Sequence, residues 1–112
     1  MTRRAEYLAE FEMYVMLAVA RPGLDAYGAA IRREIEVRAG RPVSIGAVYA
    51  TLGRLEDAGL LTHEITDPLP VRGGRSRKVY ELTPEGRHAL ETSTSMLTRM
   101  MDGVPLAQGG EA

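Results

Sequence analysis

The chain has 112 residues, of which 45% are apolar and 26% charged, with a net charge of −1 and no cysteine. One domain fits that length, and the composition is ordinary globular usage rather than that of a disordered or low-complexity chain. Without cysteine there is no disulfide scaffold, no thiolate metal site and no cysteine nucleophile.

Residues 6–21 read as a first helix, with Leu8, Phe11, Val15 and Ala18 at steps of three and four. Its second half, Met13 to Ala20, is apolar all round, so burial is expected on more than one side. Acids at Glu6, Glu10 and Glu12 break any secretory signal, and the apolar run is too short to span a bilayer. The expected compartment is the cytoplasm, with no membrane partner. Pro22-Gly23 ends the helix.

A second helix is expected from Ala26 to Arg38, capped by Asp25 and stopped by Gly40. Tyr27, Ala30, Ile31 and Ile35 form its inner face, and Arg32, Arg33, Glu34 and Glu36 face water. After Arg41-Pro42, Ser44 caps a third helix, Ile45 to Asp57. Its buried stripe reads as Ile45, Val48, Leu52 and Leu55. The remaining surface shows Gly46, Ala47, Tyr49, Ala50, Thr51, Gly53 and Arg54, with no acid before Glu56. Small and hydrogen-bonding residues on a helix face suit close entry into a groove. Gly59 ends this helix.

Leu60–Thr66 and Lys78–Leu82 read as two strands joined by the Pro-, Gly- and Arg-rich loop DPLPVRGGRSR, a hairpin with a positive tip. Thr83-Pro84-Glu85 starts a fourth helix that runs to about Asp102, with Ala89, Leu90, Met96, Leu97, Met100 and Met101 as its apolar face. Residues 103–112 read as a flexible tail.

The expected fold is thus α+β and mainly helical. It is a winged helix-turn-helix with three helices, a two-stranded β-wing and a C-terminal dimerisation helix. A DNA-binding domain spans 1–82, the dimerisation helix 83–102 and the tail 103–112. In such a fold the third helix lies in the major groove and the hairpin reaches the backbone beside it.

Charge is segregated accordingly. No acid occurs between Val37 and Leu55, which include Arg38, Arg41 and Arg54. None occurs between Pro68 and Tyr80, which include Arg72, Arg75, Arg77 and Lys78. A basic face on an otherwise acidic chain suits a polyanion better than the net charge suggests.

The stretches EFEMYVMLAVARPGLDAYGAAIRREIE, SIGAVYATLGRLEDAGLL and GGRSRKVYELTPEGRHAL resemble the PadR-like transcriptional regulators over most of the chain, about Leu8 to Leu90. The pattern Ser-Ile-Gly-x-Val-Tyr-x-x-Leu-x-Arg-Leu-Glu-x-x-Gly-Leu is similar to the family's recognition helix, and Gly-Gly-Arg-x-x-Lys-x-Tyr-x-Leu-Thr-x-x-Gly to its wing. The resemblance implies a homodimeric repressor on a palindromic operator, with dimerisation through the first and last helices. It also implies a response to a small hydrophobic or phenolic effector. The chain resembles the short branch with a single C-terminal helix. It has no tryptophan, so stacking of planar ligands between tryptophans is not open to it.

Ser44, Tyr49, Thr51, Arg54, Arg72, Arg75, Arg77 and Lys78 are the expected contacts to double-stranded DNA, with Arg41 a lesser one. Tyr49 matches the tyrosine of the family's recognition helix. A core-edge role against Tyr27 is the alternative for it. Met13, Met16, Leu90, Met96, Leu97, Met100 and Met101 are the expected dimer residues. His63 and His88 stand without partners at metal spacing, and no catalytic constellation appears, so neither an enzyme nor a cofactor or metal site is expected. A winged helix used only for protein contact is the competing reading. It would prefer acidic or apolar patches where Arg75 and Arg77 stand.

Overall fold

The computed structural model describes residues 7–66 and 76–106. The element order is α1 (Glu10–Val19), α2 (Gly28–Ala39), α3 (Ile45–Asp57), β1 (Leu61–Ile65), β2 (Lys78–Leu82) and α4 (Pro84–Met101). Helices one to three followed by an antiparallel hairpin and a long last helix make a winged helix, mainly helical α+β.

α1 starts later than its apolar spacing predicts. The Leu8 N–H donates to Ser93 Oγ of α4 at 2.9 Å, which fixes an extended approach, and Ala9 is the N-cap. Glu12 closes the end by accepting from the Ala9 N–H at 2.9 Å. The first six residues of the chain lie outside the described residues. Val15 and Met16 are fully buried and Ala18 and Val19 nearly so, whereas Leu17 is 41% exposed. α1 is therefore the central helix of the core, open along one edge.

α2 also starts late. The Ala26 carbonyl accepts from the Tyr80 N–H of β2 at 2.9 Å, which ties the backbone to the sheet and delays the helix. Tyr27, not Asp25, is the N-cap, and no side chain caps the end. Gly40, at φ 68°, takes the left-handed conformation that stops the helix. Glu36 then reaches across the turn: its carboxylate accepts from the Val43 N–H at 3.0 Å and pairs with Arg32 at 3.2 Å. It is thus a strut of the helix-turn-helix rather than a solvated charge.

In α3 the Ser44 Oγ accepts from the Ala47 N–H at 3.0 Å. The buried stripe is Val48, Thr51, Leu52 and Leu55. The expected stripe is corrected at two places: Ile45 is 40% exposed and Thr51 only 2%. Steps of three, one and three follow the 3.6-residue period around Val48–Leu55, and Ile45, a turn earlier, lies beyond the core. The Leu60 N–H bonds back to the Leu55 carbonyl at 2.9 Å and closes the helix.

The strands pair Leu61 with Leu82 through Ile65 with Lys78. The Thr66 N–H extends the ladder to the Arg77 carbonyl at 2.8 Å. Thr83 Oγ1 accepts from the Gly86 N–H at 2.9 Å and donates to the Gly59 carbonyl at 2.7 Å, so one hydroxyl starts α4 and fastens it to the end of α3. Ala89, Leu90 and Ser93 are buried on the domain's own core. Beyond them α4 leaves that core, and Leu97, Met100 and Met101 are 49%, 75% and 42% exposed. Among the described residues no helix is long and apolar enough to cross a membrane.

Candidate nucleic-acid interface

The exposed face of α3 carries Ile45, Gly46, Tyr49, Ala50, Gly53 and Arg54. Its first turn has no acid. Ile45 and Tyr49 are one turn apart on this face. Ile45 completes an apolar spacing and so reads as core in the sequence, yet it is 40% exposed. A bare first turn after the Ser44 cap was the available signal.

Tyr49 is 53% exposed. Its ring rests on the start of α2, so closely that a Cβ at Gly28 would lie 2.5 Å from the ring and the ring would have to move. It lines one cleft with Tyr27 while keeping half its surface free. Arg54 Nη2 donates to Thr51 Oγ1 at 3.1 Å. Thr51, expected as a DNA contact, is buried and holds the Arg54 head along the helix.

The root of the wing faces the same side. Arg77 and Lys78 are exposed. The Arg77 guanidinium carbon lies 4.1 Å from the centre of the Tyr27 ring, a cation–π stack. Tyr27, Gly28, Tyr49, Ser76, Arg77, Lys78 and Tyr80 enclose a cleft of about 330 Å³. The start of α2 opens near it without an acid in its first turn, which adds positive potential. Behind the cleft, burial pushes the Tyr80 phenol above its ordinary pKa, helped by the charge of Glu56 and by Tyr49. Arg72 and Arg75 lie outside the described residues.

Other expected residues stand elsewhere. Arg41 pairs with Glu10 at 3.1 Å and lies over the rings of Phe11 and Tyr14, so it fastens α1 to the helix-turn-helix. His63 Nδ1 is 2.5 Å from Glu56 Oε2, at the join of β1 and α3. Met16 is fully buried and Leu90 is 7% exposed, so both serve the chain's own core rather than an outer surface. Met13 and Met96 are half-buried. Among the described residues no group of three or more His, Asp or Glu is placed to hold a metal ion.

Comparison with known proteins identifies the family and the fold. Residues 16–92 match the transcriptional regulator PadR-like family. The chain is 46% identical over 66 residues to the transcriptional regulator Rv3488 of Mycobacterium tuberculosis. That match covers 59% of this chain and spans 57% of the relative's length. Among solved structures, a PadR family transcriptional regulator from Eggerthella lenta is 29% identical with a TM-score of 0.65, covering 85% of this chain and 82% of the other. A PadR-like transcription factor from Bacteroides fragilis is 26% identical with a TM-score of 0.67, covering 80% and 82%.

Proposed function

The chain belongs to the PadR-like family of transcriptional regulators, and on that premise we propose that it represses its targets as a homodimer on an inverted-repeat operator. α3 enters the major groove with Ile45, Tyr49 and Arg54 towards base edges and sugar. Ser44 at the helix start and Arg77 and Lys78 at the wing root meet backbone phosphates. Arg72 and Arg75, which lie outside the described residues, are proposed as phosphate contacts from the sequence alone. The observation that carries this reading is the exposed face of α3, without an acid in its first turn, set beside the exposed Arg77 and Lys78.

Dimerisation is supported by the second half of α4. Leu97, Met100, Met101, Val104 and Leu106 are all at least 42% exposed, and Leu17 of α1 is 41% exposed. Apolar surface of that kind is a liability unless a partner covers it, and two-fold pairing is the commonest way to do so. For a small hydrophobic or phenolic effector the proposed seat is the groove of about 310 Å³ between α1 and α2, lined by Tyr14, Leu17, Ala18 and Ile35 and by the charged Arg21, Glu34 and Arg38.

A mobility-shift titration with the DNA upstream of the chain's own gene tests the reading. The expected result is a complex that resists competitor DNA of random sequence. Binding equal to that of random DNA, by a folded protein, contradicts it.

A further inference from the structure

Arg77 differs from several other arginines of the chain. Arg21, Arg32, Arg38 and Arg41 each pair with a glutamate. Among the described residues no carboxylate pairs with Arg77. Its guanidinium rests on the Tyr27 ring, 4.1 Å away. Its backbone is fixed as well. The carbonyl accepts from the Thr66 N–H at 2.8 Å, and the N–H donates to Thr66 Oγ1 at 3.3 Å.

A guanidinium stacked on a ring uses its plane and leaves its in-plane N–H donors free, the geometry suited to phosphate oxygens. An arginine on a bare loop would lose rotamer freedom on meeting DNA; one already stacked has lost it beforehand. Tyr27 is itself set by the fold, as the N-cap of α2 next to the glycine that carries Tyr49. The result is an open cleft of about 330 Å³ lined by Arg77, Lys78 and Tyr49 together.

We propose that this cleft seats one backbone phosphate of the DNA beside the groove entered by α3, and that Tyr27 is the residue that positions Arg77 for it. The proposal rests on the DNA-binding reading above and adds to it a specific residue with no base to read. Arg77 supplies the charge; Tyr27 supplies its direction. Because a phosphate is the same at every step of the duplex, the contribution is independent of sequence.

The test is a double-mutant cycle read by fluorescence anisotropy on a duplex of random sequence across a salt series, using the full chain. R77A should flatten the slope of log affinity against log salt by roughly 0.9 per bound subunit. Y27L should weaken binding about two- to fivefold per bound subunit, the scale of an exposed cation–π contact. Y27F, which keeps the ring face, should bind as the unsubstituted chain does. The double variant Y27L/R77A should bind no more weakly than R77A alone. R77K keeps the charge and loses the planar stack, so it should keep the slope and lose affinity as Y27L does; this arm does not depend on Y27L folding.

A further loss from Y27L in the R77A background, or wild-type affinity in R77K, overturns the positioning role. Wild-type slope in R77A overturns the phosphate seat while the DNA-binding reading stands. Absence of salt-dependent binding by the unsubstituted chain overturns both.

Discussion

Tyr49 of α3 stands on Gly28, the first residue of α2, so closely that a methyl group there would lie 2.5 Å from ring carbons Cε1 and Cζ and 2.6 Å from the hydroxyl. The atoms in the way are the far end of a half-exposed side chain and not backbone. Gly28→Ala should therefore leave the fold standing, with a change in stability within about 1 kcal/mol, since alanine also favours the helix. It should push the Tyr49 ring off its seat and weaken operator binding as Tyr49→Ala does. Thermal melts alongside binding curves check this; a Gly28→Ala protein with wild-type affinity would mean that the Tyr49 position is immaterial.

The opposite outcome is expected at Gly86. A Cβ there would lie 1.9 Å from the Leu60 carbonyl oxygen, an atom fixed by its bond from the Thr83 N–H. α4 or the start of β1 must shift, so Gly86→Ala should cost about 1–3 kcal/mol in urea unfolding. Stability equal to that of the parent would show that the α4 start is looser than this contact implies.

Arg54 and Thr51 divide what a helix reading assigns to both. Arg54→Ala should lower operator affinity by about 1–3 kcal/mol with little effect on the fold, because the side chain is exposed. Thr51→Val keeps the buried shape and removes the acceptor for Arg54. It should lower affinity less than Arg54→Ala does, with stability falling by about 1 kcal/mol or less. A larger binding loss for Thr51→Val would restore Thr51 as a direct contact.

The element order, the Ser44 and Thr83 caps, the Gly40 stop and the β2 bounds were all legible, because each is set by local chemistry. What was not legible came from contacts between distant segments. Asp25 has the chemistry of a cap, but the Ala26 carbonyl accepts from the Tyr80 N–H and the helix begins later. Thr51 looked like a surface residue because its hydroxyl is polar, yet its helical position matches Leu52 and Val48. Met16 and Leu90 looked like dimer residues because a sequence does not tell which of two apolar surfaces a helix shows to its own core. The Tyr27–Arg77 stack joins residues 50 positions apart, and no local pattern announces it.

The Tyr80 phenol gives a pH prediction. Its folded-state pKa is raised, by burial first and by Glu56 and Tyr49 next. The neutral phenol is thus favoured in the folded chain, so the stability it contributes is complete below the unfolded value of about 10 and is lost as pH rises through the folded value. Unfolding midpoints should fall on going above about pH 10, and less so in Tyr80→Phe. An equal alkaline fall in Tyr80→Phe would remove Tyr80 as its cause.

Truncation separates assembly from folding. A cut after residue 95 removes Leu97, Met100 and Met101 but spares Ser93, which holds the Leu8 N–H. Light scattering should then show a monomer with the helical spectrum of the remaining domain and weakened operator binding. A cut chain that stays dimeric would move the interface elsewhere.

The central claim is that two copies present α3 to successive major grooves. Hydroxyl-radical footprinting of the full chain on the DNA upstream of its own gene tests this most directly. The account predicts two symmetric protected patches whose centres lie about one helical turn apart, roughly 34–36 Å, with protection lost in Tyr49→Ala. A single unpaired patch, or protection unchanged by Tyr49→Ala, would contradict it.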